Sequence, residues 1–281
     1  MQKLIRFYIQ LIKTPQTALL LLTAVAGYRS ASNSEYSFII IFSAMVGLLL
    51  VISGTTALNM VFDHDIDTIM SRTKKRPLPA GNLSDFNATM FGIVLIAIGM
   101  AINLYISAIF AVVIFLGLFF DLIVYTFWLK RRSSLSIIFG GLSGGMPILA
   151  GRVLATGVID LPGILFALAI LLWIPTHILT LAMNHSNDYK LAGVPTFPNV
   201  FGFKSARYFI ALSNVIAGAI LIFVFNLLNI TNSGMTILIL STFLLVGFSV
   251  KVIISPSKES NFAMFRYASI YMGIAMLILI I

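Results

Sequence analysis

Nine apolar runs, each near the length that spans a bilayer, divide this 281-residue chain. About twenty consecutive apolar residues cross the hydrocarbon core of a membrane as an α-helix. The runs lie near residues 15–32, 37–61, 87–106, 108–128, 136–156, 161–183, 206–228, 234–254 and 262–281. Their apolar positions are unbroken or recur at helical spacing, without the alternation of outer-membrane strands. Lipid offers no partners for backbone N–H and C=O groups, so such runs must pair internally as helices. The expected fold class is therefore an all-α polytopic membrane protein, with about nine transmembrane helices in a bundle and one domain over residues 1–281. Charged residues are only 10% of the chain and mean hydropathy is +1.04, which excludes a soluble domain of this size.

The basic residues sort by loop. In a nine-helix arrangement only Arg29 and Arg152 fall on one side, and the other sixteen of the 18 Lys and Arg fall opposite. Cytoplasmic loops carry such an excess, so the chain is expected in the plasma membrane with a cytoplasmic N-terminus and an outward C-terminus. The net charge of +9 thus reflects topology rather than nucleic-acid binding. Cysteine is absent, which excludes disulfides and thiolate metal sites. Residues 1–13 form a mixed amphipathic start without a cleavable signal peptide. The connections on the sparse side are short (33–36, a turn near Ser107, 157–162 and 229–234). The two longest polar connections, Phe62 to Phe86 and Asn184 to Ser205, both lie on the basic side, after the second and the sixth helix. That placement suggests two similar halves and puts the chemistry at the cytoplasmic face.

The first of these connections opens as NMVFDHDIDTIMSRTKKR, residues 59 to 76. Asp63, Asp65 and Asp67 lie within five positions in a chain with nine acidic residues. Carboxylates beside a membrane are costly and mark functional sites. Asn59, Asp63 and Asp67 are spaced i, i+4, i+8, a drift of about 40° per step, so they share one helical face while Asp65 points elsewhere. An amide oxygen and two carboxylates suit Mg²⁺, which keeps waters and takes phosphate oxygens from a substrate. Arg72, Lys74, Lys75 and Arg76 follow; guanidinium forks grip phosphate oxygens and lysines add point charge. The pairing suits a metal-bound diphosphate leaving group, with Asp63, Asp67 and Arg72 as its catalytic residues and Lys130 and Lys190 as further anion contacts. A solvated topology anchor is the bland alternative. An EF-hand is excluded, because Thr68 and Lys74 stand where that loop needs glycine and glutamate.

The second connection carries His177, Asn184, His185, Asp188, Tyr189 and Lys190. Asn184 and Asp188 repeat the i, i+4 spacing, so Asp188 is expected to hold a second Mg²⁺ with fewer protein oxygens. His177 and His185 are equally compatible with hydrogen-bonded packing, and the triplet Lys130–Arg132 with a topology anchor.

The Asn59, Asp63, Asp67 pattern on a nine-helix chain resembles the UbiA-type intramembrane prenyltransferases. Three blocks carry the likeness: DHDIDTIMSRTKKRPLPAG from Asp63 to Gly81, YTFWLKRRSSLSIIFGGLSGGMPILAG from Tyr125 to Gly151, and the stretch from Pro175 to Gly202. They are most similar to a branch that prenylates haem, and depart from its pattern at Arg152, Thr176, Ile178, Leu179, His185, Thr196 and Phe197. The resemblance implies a bundle around a central cavity. It also implies Mg²⁺-dependent transfer of a polyprenyl group, farnesyl or similar, from its diphosphate to a vinyl group of haem b. It assigns Asn59, Asp63, Asp67 and Asp188 to metal, and Arg72, Lys74 and Arg76 to diphosphate. His177, His185 and Tyr189 are the candidate acceptor residues. A quinone precursor or a lipid as acceptor is the alternative within the family, and an ion-coupled transporter the alternative outside it.

Overall fold

The structure is a computed structural model that describes residues 2–31 and 37–281, the connection at 33–36 lying outside them. Helices account for the secondary structure of the described residues: α1 (Gln2–Leu11), α2 (Thr14–Arg29), α3 (Phe38–Phe62), α4 (His64–Ile69), α5 (Asp85–Ile106), α6 (Ala108–Leu118), α7 (Ser136–Thr156), α8 (Leu161–Asn184), α9 (Ser186–Leu191), α10 (Phe197–Leu227), α11 (Asn232–Ile254) and α12 (Lys258–Ile280). Among the described residues eight helical spans are long and apolar enough to cross a membrane, and the α1–α2 pair, bent by 48°, meets the same criterion when taken together. The protein is thus a multi-pass membrane protein.

Local chemistry sets the helix ends. Asp160 starts α8 by accepting the Gly163 N–H at 3.0 Å, and Ser257 and Ser260 cap α12 reciprocally. Gly157 ends α7 at a φ of 74°, a backbone that glycine adopts without a steric penalty. Thr14 follows Lys13, whose backbone is left-handed at φ 45° and ψ 57°, and Pro15 then begins the new helical direction. The span of α6 continues into a π-helix, Phe119–Leu129, closed by the Lys130 N–H on the Tyr125 C=O at 2.8 Å. Wide turns of this kind cluster at functional sites.

Two rings of helices share α7. In one, α2, α3, α5, α6 and α7 pack in succession; in the other, α7, α8, α10, α11 and α12 do, and α12 packs back on α2 and α8. Association inside lipid relies on close packing, because lipid tails are as apolar as the side chains they replace. Gly27 and Gly151 let α2 and α7 touch backbone to backbone, and a methyl group at either would run into the Ile148 or Ala24 carbonyl. Ala26, Ile148, Phe166, Leu221, Phe225 and Tyr271 fill the core of the second ring.

The repeat suspected from loop position has a physical counterpart. In each ring a long helix ends at one pivot residue, then a six-residue helix turns away: α3, Asp63 and α4 in one, α8, His185 and α9 in the other. The two polar connections are accordingly shorter as loops than their sequence suggests. Polarity alone hides α4 and α9, and it hides the first turns of α10 before Gly202, where φ is 85°. At the end opposite these connections, the buried Arg152 forms a salt bridge with Asp160 at 2.8 Å and donates to the Ser30 C=O at 2.9 Å.

Candidate functional site

The pivot at Asp63 bends the chain without losing helical register. The Asp63 N–H reaches the Asn59 C=O at 3.0 Å, and the Asp67 N–H reaches the Asp63 C=O at 2.8 Å. Asn59, Asp63 and Asp67 therefore share a face, as their spacing predicts, and all three are buried. Asp65 lies off it, exposed and gripped by both Arg131 nitrogens at 2.5 and 2.6 Å. The Arg131 guanidinium holds the Asp65 carboxyl below the usual carboxylate range.

Each buried carboxylate has its own cation. Lys130 Nζ donates to Asp63 Oδ2 at 2.5 Å, and Arg76 Nη1 donates to Asp67 Oδ2 at 2.6 Å. The other Asp63 oxygen, Oδ1, is buried with no hydrogen-bond partner. Buried acceptors are almost always satisfied, so a carboxylate oxygen left open points to a ligand. Lys130 is thus a member of the site rather than a topology anchor alone. The Asn59 amide, expected to offer its oxygen to a cation, has both polar atoms engaged within the protein: Nδ2 donates to Asp121 Oδ2 at 2.7 Å, and Oδ1 accepts from Thr126 Oγ1 at 3.1 Å.

The two polar connections meet. Ser71 Oγ donates to Asp188 Oδ2 at 2.6 Å, and Arg72 Nη2 donates to the Tyr189 hydroxyl at 3.2 Å while its guanidinium lies 5.9 Å from the ring centroid. Beneath them Ile66, Met70 and Val194 form a small buried cluster against Tyr189 and Ala192. The Ser71 hydroxyl holds the Asp188 carboxyl below its ordinary value. Lys74 and Lys190 are exposed and form no ion pair among the described residues.

The histidines separate. His185 is the second pivot, and among the described residues its ring has one hydrogen-bond contact, with Asn184 at 3.5 Å. His177 lies inside α8 between the rings of Trp173 and Phe265, with centroids 4.4 and 4.2 Å away, and Ser269 Oγ meets its Nε2 at 3.2 Å. Its Nδ1 is buried and unpartnered.

Residue type and spacing in the two polar connections do not reveal Asp121, Thr126, Arg131 or Ser71. An acidic residue inside an otherwise apolar run is the one signal that marks Asp121. Among the described residues no three carboxylate or imidazole groups converge on one point. The arrangement is instead a pair of carboxylates, each facing a cation, with the second polar connection held alongside through Ser71 and Arg72.

A helical membrane bundle with this acidic and basic rim defines a class of intramembrane proteins that handle charged headgroups at the end of apolar tails. The sequence profile of the UbiA prenyltransferase family matches residues 20–272, and the chain belongs to that family. A relative named protoheme IX farnesyltransferase, from Archaeoglobus fulgidus, is 39% identical over 98% of this chain and 96% of its own length. Among solved structures, one of digeranylgeranylglyceryl phosphate synthase matches with a TM-score of 0.81 at 22% identity, covering 99% of this chain and 98% of that one. A UbiA homologue from Archaeoglobus fulgidus bound to DMAPP and Mg²⁺ matches with a TM-score of 0.72 at 15% identity, covering 97% of this chain and 98% of that one. Both structural matches are matches of fold.

Proposed function

We propose that this chain, as one domain, transfers a farnesyl-type polyprenyl group from its diphosphate to a vinyl group of haem b, giving haem O. The observation that carries the transferase reading is the open Asp63 Oδ1 beside a carboxylate and amide of matching register. The haem acceptor rests on the near full-length relatives that carry that name.

The donor set is all oxygen, which fits a hard divalent cation such as Mg²⁺. Asn59, Asp63 and Asp67 would hold one ion and Asp188 a second, with diphosphate oxygens supplying what the protein lacks. When bound, the ion supplies charge neutralisation on the departing diphosphate. Arg72, Arg76, Lys74, Lys130 and Lys190 bind and orient the same oxygens. Lys130 and Arg76 already lie beside the carboxylates, so little reorganisation precedes binding. The C1–O bond of the allylic diphosphate breaks, the electron pair leaves with diphosphate, and the vinyl carbon supplies the pair for the new C–C bond. Water then adds to the resulting cation and loses a proton, leaving a hydroxyalkyl side chain. The central cavity that the family resemblance implies would exclude water until that last step. The site faces the cytoplasm across the plasma membrane, in keeping with the sorting of basic residues. His177, His185 and Tyr189 are the acceptor-side residues.

Incubating the purified protein with haem b, farnesyl diphosphate and Mg²⁺ tests this by product mass. A haem product heavier by a farnesyl group plus a hydroxyl group is expected. Prenylation of a quinone precursor or a glyceryl-phosphate lipid, with haem untouched, would overturn the acceptor.

A further inference from the structure

We propose that Asp121 is a positioning residue, which fixes and polarises the Asn59 amide so that its oxygen serves as a cation ligand. This rests on the metal reading above. An amide side chain can present either its oxygen or its NH₂ to a site, and only the oxygen binds a hard cation. Asp121 Oδ2 takes the Asn59 Nδ2 hydrogen at 2.7 Å, which fixes Oδ1 as the acceptor atom, now facing Thr126 Oγ1 at 3.1 Å. A carboxylate at that distance withdraws hydrogen-bonding ambiguity and enriches the amide oxygen in electron density, as carboxylates behind metal-bound histidines do.

The surrounding residues are built around this contact. Thr126 Oγ1 lies 2.8 Å from the Asp121 C=O and 3.1 Å from Asn59 Oδ1. Its single proton can rest on the carbonyl when a cation occupies Oδ1, or on Oδ1 when none does. The exchange leaves no buried donor unsatisfied. The π-helix from Phe119 to Leu129 supplies both partners, because its wide turn brings the Asp121 carbonyl to the Thr126 hydroxyl five residues on. Asp121 thereby ties α3 to the π-helix on the Asn59 side of the site.

The test is Mn²⁺ binding in the presence of a non-reactive farnesyl thiodiphosphate, read by the loss of the free Mn²⁺ paramagnetic resonance signal. Asp121→Leu is expected to weaken Mn²⁺ binding about tenfold to hundredfold. Asp121→Asn keeps an acceptor without the charge and is expected to fall between that and the parent protein. If Asp121→Leu does not fold, the Asp121→Asn affinity decides. Parent-like Mn²⁺ affinity in the folded Asp121 variants, with loss in Asp63→Asn, overturns the role of Asp121 alone. Retained affinity in Asp63→Asn overturns the metal reading itself.

Discussion

The two polar connections share a construction and differ in chemistry. Each has a long membrane helix, a single pivot and a six-residue helix. The first places a carboxylate at the pivot, Asp63, and another one turn later, Asp67. The second places His185 and Tyr189 at those positions. Carboxylates in the first are buried and paired with Lys130 and Arg76, whereas Asp188 in the second lies at the surface against Ser71. A similar helix–pivot–helix construction therefore carries a charge-dense cradle in one half and a single surface carboxylate in the other.

Breaking the first half should have the largest effect. Asp63→Asn removes the carboxylate that the proposed function gives to the metal and leaves Lys130 half-buried without its partner, and turnover should fall about 10²- to 10³-fold, measured as product per minute at saturating Mg²⁺. Retained turnover would remove Asp63 from the chemistry. Arg76→Gln strands the buried Asp67, and the expected loss is about 3 kcal/mol of stability, visible as an earlier thermal transition in detergent. In the second half the effects shrink. Asp188→Asn should raise the KM for the prenyl diphosphate about tenfold and leave the stability of the bundle unchanged, because only the contact between the loops is lost.

That contact also has a pH signature. Asp188 is held below its ordinary value, so its contribution is fully present above the unfolded carboxylate value near ~4 and is lost as pH falls through its lower folded value. Amide protection in segment 64–75, taken relative to the intrinsic exchange rate at each pH, should accordingly stay flat from pH 7 to about 5. Lost protection already at the upper end of that window would contradict the Ser71 contact. Asp65→Ala closes the series. Its exposed pair with Arg131 is worth under about 1 kcal/mol, and it should barely alter turnover.

Much of this was legible before any coordinates. Run length located the spans, because lipid forces each apolar run to be a helix. The i, i+4, i+8 spacing put Asn59, Asp63 and Asp67 on one face and set Asp65 aside, since helical register survives a pivot that keeps its hydrogen bonds. The short helices α4 and α9 were not legible, because six mixed residues carry too little periodicity to separate a helix from a loop. Nor were the partners of Asn59 and Asp188. Asp121 and Ser71 reach them from 62 and 117 positions away in the chain. Only packing decides such contacts. Lys130 illustrates the middle ground: as part of a basic triplet it reads as an anchor, and its burial against Asp63 changes that reading.

The Arg152 contacts at the opposite end carry a mechanical consequence. One guanidinium fastens the end of α2, the end of α7 and the start of α8, beside the place where Gly27 and Gly151 let two backbones touch. The bundle is thus riveted at one rim by a single buried cation, whereas at the other its two pivoted loops are only stitched together, by two side-chain hydrogen bonds and a small apolar cluster.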